Sequence, residues 1–292
     1  MLLDGALAGP DVVAVGERGA ILRSTDNGKM WDRVSSGVNA TLTGISFAAP
    51  TTPRTGWAVG HDALIIGTTD GGQTWTKHYQ GENLQDSFLD VIALDAQRAI
   101  AVGAYGLYVS TADGGKTWTR RKLSNDDYHF NRITAGTGTT LYLAGEHGTL
   151  LRSTDLGAKW SALKSPYEGS FYGLSSPAAR TLLAHGLRGR VYRSTDDGRS
   201  WQPVVTPEPV LLATSALLRN TALLLAGQSR SLLVSRDSGA TFSASPVALP
   251  GSIAELLELP DGSILALGEA GATVLEVTKI QPAPPASAPR AP

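Results

Sequence analysis

Ser24-Thr25-Asp26-Asn27-Gly28-Lys29-Met30-Trp31 is the stretch on which the fold turns, because the chain repeats it. Copies occupy residues 68–75, 111–118, 153–160, 194–201 and 235–242, the last ending in Phe242 instead of Trp. Their central aspartates, Asp26, Asp70, Asp113, Asp155, Asp196 and Asp237, are spaced 41 to 44 residues apart. A second marker keeps step. Gly16, Gly60, Gly103, Gly145, Gly186 and Gly227 each stand ten residues before one of those aspartates. A seventh, Gly268, follows 41 residues after the sixth, and Thr278 stands where its aspartate is due. A period of that length marks a repeat architecture.

The box has a physical logic. Its aspartate can accept backbone N–H bonds inside its own turn. The glycine two positions on supplies the positive φ that the turn needs. The aromatic three residues later offers a large face to bury against a sheet. These are structural roles, and none of the six aspartates reads as catalytic.

Between the markers the chain reads as short strands bounded by turn residues. Residues 11–15, 56–59 and 263–267 end at marker glycines, and 20–23, 63–66 and 272–277 follow the next turn. An outer strand starts at each box aromatic, and inner strands precede, as at 42–47, 88–93 and 130–135. Four strands per unit predict an all-β, seven-bladed β-propeller over residues 1–279. Only six outer strands are countable, so the last blade is expected to lack its own. Residues 280–292, rich in Pro and Ala, are expected to be a disordered or extended tail. Either a segment upstream of Met1, with a signal peptide, supplies the missing strand, or residues 272–277 are an open edge able to accept one from a partner.

Composition narrows the function. A formal net charge of -1 and a single short basic run, Arg120-Arg121-Lys122, argue against a nucleic-acid footprint. The chain has no cysteine, so disulfides, thiolate chemistry and Cys-zinc sites are excluded. No apolar run reaches the ~18–20 residues of a membrane-spanning helix. His61, His78, His129, His147 and His185 show no metal-ligand spacing and read as solvated loop residues; no metal or cofactor is expected.

Boxes combined with turns such as Gly16-Glu17-Arg18-Gly19 and Gly145-Glu146-His147-Gly148 resemble the photosystem II stability/assembly-factor family of seven-bladed propellers and its bacterial relatives. The resemblance runs over about residues 2–278. It implies an exported, periplasmic or otherwise extracytoplasmic protein that performs no chemistry. Such a protein binds a partner protein of a membrane or envelope complex, as a monomer without inserting into the bilayer itself. The Asp box alone is shared with sialidases, xyloglucanases and sortilin-type receptors.

Two groups of residues are candidates for function. Counting back about thirteen residues from the marker glycines aligns Asp90, Arg132, Gly173, Thr214 and Glu255, with Asp4 one residue off. Asp4, Asp90, Arg132 and Glu255 are thus expected at the channel mouth. The competing reading is a glycoside hydrolase, sialidase-like or xyloglucanase-like, with a carboxylate pair there. The main reading is a binding face. The turns between second and third strands carry Arg18, His61, Asp62, Tyr105, Glu146, His147 and Arg188. Connections between blades add Asp126, Asp127, Tyr128, His129, Tyr167 and Tyr172. Aromatics with mixed charge suit a contact surface. Phe88, Phe130 and Phe171 recur in register and read as plugs between blades.

Overall fold

Successive strands hydrogen-bond only to their neighbours in sequence, so each repeat closes on itself as one sheet. The computed structural model of the protein describes residues 1–48 and 54–280. Among them are seven antiparallel sheets, six of four strands and one of three. Blade one is Leu2–Ala8, Asp11–Gly16, Ile21–Ser24 and Asp32–Val34. Blade seven is Ile253–Glu258, Ile264–Gly268 and Gly271–Leu275, with no outer strand among the described residues. The second strands read as unbroken apolar runs because they are covered on both faces; Val12, Val13, Ala14 and Val15 are all fully buried.

The marker glycines answer to close packing. Gly16 has extended backbone (φ −176°), so left-handed freedom is not its role. A Cβ there would strike the carbonyl oxygen of Met1, and at Gly103 and Gly227 those of Ser87 and Leu211. Each of these carbonyls, at the entry to the same blade's inner strand, accepts the amide just after the glycine: Glu17 N–Met1 O 3.1 Å, Ala104 N–Ser87 O 2.9 Å, Gln228 N–Leu211 O 3.0 Å. A side chain would force the two apart.

Up-and-down strand order puts the marker-glycine turns and the inter-blade connections on one face. The boxes share the opposite face with the first hairpins, to which they bond: Gly71 N donates to Arg54 O and Gly114 N to Gln97 O, both at 2.9 Å.

Two apolar residues recur in the wedges between blades. One is the box aromatic of the following blade; the other is a residue leaving the outer strand of the preceding blade. Val34 and Trp75 fill the wedge between blades one and two, and Tyr79 and Trp118 the next. Leu123 and Trp160, Leu163 and Trp201, then Val204 and Phe242 continue the series. Blade seven has no box, and its third strand stops at Leu275 instead of running to Val277. Residues Val277–Ile280 form one helical turn, because the amides of Lys279 and Ile280 both reach Glu276 O. Ile280, assigned above to the tail, is 1% exposed and joins Val247 in the wedge between blades six and seven. Its carbonyl accepts the Ser245 hydroxyl at 3.1 Å. An isoleucine on a helical turn thus takes the aromatic's place. The expected tail, residues 281–292, lies outside the described residues.

Ile280→Ala is therefore expected to cost about 2–4 kcal/mol. Lys279→Ala, one residue away with its side chain 68% exposed, should be near neutral. Urea unfolding of the two variants measures the difference.

Candidate functional site

Register places seven residues in one ring around the channel, each opposite the residue before a marker glycine. They are Asp4, Gly44, Asp90, Arg132, Gly173, Thr214 and Glu255. Asp4 belongs to the ring despite its offset, because the first hairpin of its blade is shorter. Gly44 escaped the counting because the corresponding hairpin of blade two is longer.

Arg132 reaches across the channel. Its Nη2 pairs with Glu255, its Nε lies 3.4 Å from Asp90, and its Nη2 is 4.0 Å from Asp4. The three carboxylates are only 3%, 3% and 5% exposed for Asp4, Asp90 and Glu255. Their remaining oxygens are committed too. Asp4 accepts the amides of Gly5 and, in blade two, Ile45, both at 2.8 Å. Asp90 accepts Val91 N and, in blade four, Ile133 N at the same distance. Thr214 in blade six donates its hydroxyl to Glu255 at 3.0 Å. One guanidinium serves three carboxylates, so the balance is unfavourable to ionisation. Burial holds Asp4 well above its ordinary value and raises Asp90 and Glu255, while Arg132 pulls the other way.

His185 corrects the reading of all five histidines as loop residues. It is a strand residue and fully buried, and its Nε2 fills the side-chain space that Gly173 leaves empty. Nδ1 lies 3.0 Å from Leu212 O in blade six, which makes it the donor, while Nε2 has no partner. Burial, helped by the positive field of Arg132, pushes its pKa down to about 4 despite the opposing bond to Leu212. His78 is also a strand residue, half-buried in the outer strand Thr76–Gln80. The signal for His185 was a polar residue inside an otherwise apolar second strand.

The second-to-third turns form the other site. Arg18, Asp62, Tyr105, His147 and Arg188 each sit at a turn tip with left-handed φ between 49° and 60°. That backbone holds them outward, and all five are exposed, as is His61. Around blades three to five they assemble. Tyr105 meets His129 edge to face at 4.8 Å, and His147 stacks on Tyr128 at 4.3 Å. Glu146 Oε2 accepts His129 N at 3.1 Å, and its Oε1 lies 3.6 Å from His129 Nδ1. Burial, then Glu146, raises the pKa of Tyr172. Beside Tyr128 and His147 lies a cavity of about 220 Å³ floored by Phe130, Leu150 and Leu163 and edged by Asp126. Asp127 is exposed, 4.0 Å from Lys122. Tyr167 is turned inward, stacked on Tyr192 at 6.0 Å and edge-on to Phe171 at 5.9 Å. Phe88, Phe130 and Phe171 are fully buried between blades.

The boxes behave as turns. Asp26 Oδ1 accepts the Ser24 hydroxyl and the amides of Lys29 and Met30 at 2.8, 3.1 and 2.9 Å. Gly28 takes φ 74° and sends its amide to Ser24 Oγ at 2.9 Å. Comparable hydrogen bonds, from Thr117 in one box and Ser200 in another, lower the pKa of Asp113 and Asp196 to about 2.

Fold and boxes together define an Asp-box seven-bladed propeller. Residues 80–211 match the family described as photosynthesis system II assembly factor YCF48. Among solved structures it is similar to "YCF48 bound to D1 peptide", at 20% identity and TM-score 0.71 over 93% of this chain and 91% of that one. YCF48 from Cyanidioschyzon merolae matches at 16% identity and TM-score 0.74, covering 93% of each. An ancestral GH74 enzyme matches at 14% identity and TM-score 0.75, covering 94% of this chain but 44% of that one. Among curated proteins none matches.

The channel groups respond to pH in opposite directions. His185 titrates at about 4 when folded and near 6.5 when unfolded, so its contribution is lost as pH falls through that window. Wild type relative to His185→Gln should lose about 3 kcal/mol between pH 6.5 and pH 4. Asp4 has a raised folded value, so wild type relative to Asp4→Asn should gain stability as pH falls towards 3.8. Urea titrations across pH 4–7 read both slopes.

Proposed function

We propose that the protein is a non-catalytic scaffold that binds a polypeptide partner on the face formed by the second-to-third turns and inter-blade connections. The observation that carries this reading is the cluster of exposed Tyr105, Tyr128 and His147 with half-buried His129 and Glu146. It supplies rigid aromatic area, one carboxylate and an apolar cavity at one place. Depressions of about 340–450 Å³ beside Arg188, Gln80 and Arg18 open on the same face. A YCF48 structure with a D1 peptide gives precedent for polypeptide binding by a propeller of similar fold. Following the family resemblance, the partner is read as a membrane or envelope protein met outside the cytoplasm by a monomeric propeller.

A glycosidase needs two carboxylates flanking a substrate bond, with water or the sugar between them. Asp4, Asp90 and Glu255 instead converge on one guanidinium, and Asp4 and Asp90 also accept backbone amides, which makes them cohesive groups. The likeness to a GH74 enzyme is one of fold. Xyloglucan oligosaccharides should therefore stay intact with the purified protein.

The binding reading is tested by replacing Tyr105, Tyr128 and His147 with Ala together. These exposed positions should leave the melting temperature within a few degrees of wild type. Affinity for the partner recovered from the native host by cross-linking should fall at least tenfold, since buried aromatic anchors are worth more than ~1 kcal/mol each. Wild-type affinity in a folded triple variant overturns the placement.

A further inference from the structure

We infer that the partner offers this face a basic segment with two apolar side chains, one for each of two neighbouring cavities. The inference deepens the binding reading above and rests on it. Inner strands give the frame. Leu42, Phe88, Phe130, Phe171, Leu212 and Ile253 each stand opposite a marker glycine. Four residues before them, in the inter-blade connections, come Val38, Leu84, Asp126, Tyr167, Glu208 and Leu249. Three of these turn inward as apolar plugs. Val38 packs into the wedge that holds Leu42, Tyr167 lies edge-on to Phe171, and Leu249 is 2% exposed in the wedge that holds Ile253. Leu84, Asp126 and Glu208 stand outside instead, with Leu84 58% exposed.

Where Leu84 and Asp126 stand outside, the wedge is open. Phe88 lines a cavity of about 400 Å³ with Tyr79 and Leu107, and Phe130 one of about 220 Å³ with Leu150 and Leu163. The turn tip of blade three, Tyr105, belongs to the blade between these two connections, so a chain that reaches both cavities crosses its ring. The connection of Glu208 also borders a cavity, but Arg188 and Arg190 line it. Charge separates the sites. Residues 80–88, 119–130 and 145–148 hold five carboxylates and three cations. Those cations are committed: Arg120 to Asp86 at 3.3 Å, Lys122 to Asp127 at 4.0 Å, and Arg121 to Gly157 O at 2.6 Å. Glu82, Asp126 and Glu146 have no Lys or Arg within 4.0 Å among the described residues. A segment with Lys or Arg beside its apolar residues is therefore attracted here and repelled at Arg188 and Arg190. Tyr167, in the next wedge, shows the kind of side chain that such a space accepts.

The probe is a fluorescein-labelled peptide series in which Leu and Tyr are joined by Gly/Lys spacers of roughly three to nine residues, up to about 30 Å when extended. In anisotropy titrations with the full chain, one spacer length should bind saturably. It should bind at least tenfold more tightly than peptides with either anchor replaced by Ala, or with Glu in place of the spacer lysines. Asp126→Tyr copies the plug at Tyr167, because the two positions share a turn: their amides reach Ser124 and Ser165 Oγ at 3.0 and 3.4 Å. That variant should keep the melting temperature and reduce the best peptide to single-anchor affinity. Asp126→Lys, at the same exposed position, should shift the preference at least threefold towards the Glu series. Failure of every peptide to bind, equal binding of the Lys and Glu series, or binding unchanged in both Asp126 variants overturns the inference. The triple variant of Tyr105, Tyr128 and His147 keeps two failures apart. If it loses the recovered partner while no peptide binds, the face stands and the basic two-anchor segment falls. If it keeps the partner, the face itself falls and the inference with it.

Discussion

Flat sheets set radially around an axis diverge, so the gap between neighbours widens from the channel to the rim. Filling that widening gap is the constraint from which most of this molecule follows. A strand's own side chains are too short to do it at the periphery. The Asp box solves the problem by hydrogen-bonding a turn rigidly enough to aim an indole at the preceding sheet. Its glycine lets the turn itself come close: a Cβ on Gly28 would press on Val274 and Leu265, and one on Gly72 on Val13. Period, turn chemistry and aromatic are therefore one device. Where the device is lost, in blade seven, the chain finds another apolar residue for the same gap.

This is why the fold was legible and much of the site was not. Boxes and marker glycines recur because every blade meets the same geometric demand, and a recurring demand leaves a recurring letter. The channel ring was legible only as far as hairpin lengths stayed constant; Asp4 and Gly44 fell out of step while their register did not. His185 showed only as a polar letter in an apolar second strand, and its place depends on a missing side chain at Gly173, on a different strand. Tyr167 looked like a surface residue because it breaks the pattern, yet Tyr192 gives it a partner inside the wedge. Ile280 was unreadable for the same reason, since only the absence of a seventh box creates the gap that it fills.

The channel illustrates how unlike uses the same residue types can have. Carboxylates around a propeller axis invite an enzymatic reading, and here each is also tied into contacts between blades. Asp4 ties blade one to blade two, Asp90 ties three to four, and Glu255 takes the guanidinium of blade four and the hydroxyl of blade six. Buried pairs of this kind are weak sources of net stability. What they fix is which sheet stands beside which.

The left-handed turn tips carry a consequence for how such a protein can change. An L-residue in that conformation costs roughly 1–2 kcal/mol, less for Asn or Asp and more for a β-branched side chain. Arg18, Asp62, Tyr105, His147, Arg188 and Ser229 already bear that cost. Exchanging one of them for another residue that is not glycine, proline or β-branched changes the backbone term little, and their side chains stand clear of the wedges. Six display positions are thus uncoupled from the folding of the sheets beneath. Such a platform can be rewritten tip by tip, by natural drift or in the laboratory, much as antibody loops vary on a constant sandwich.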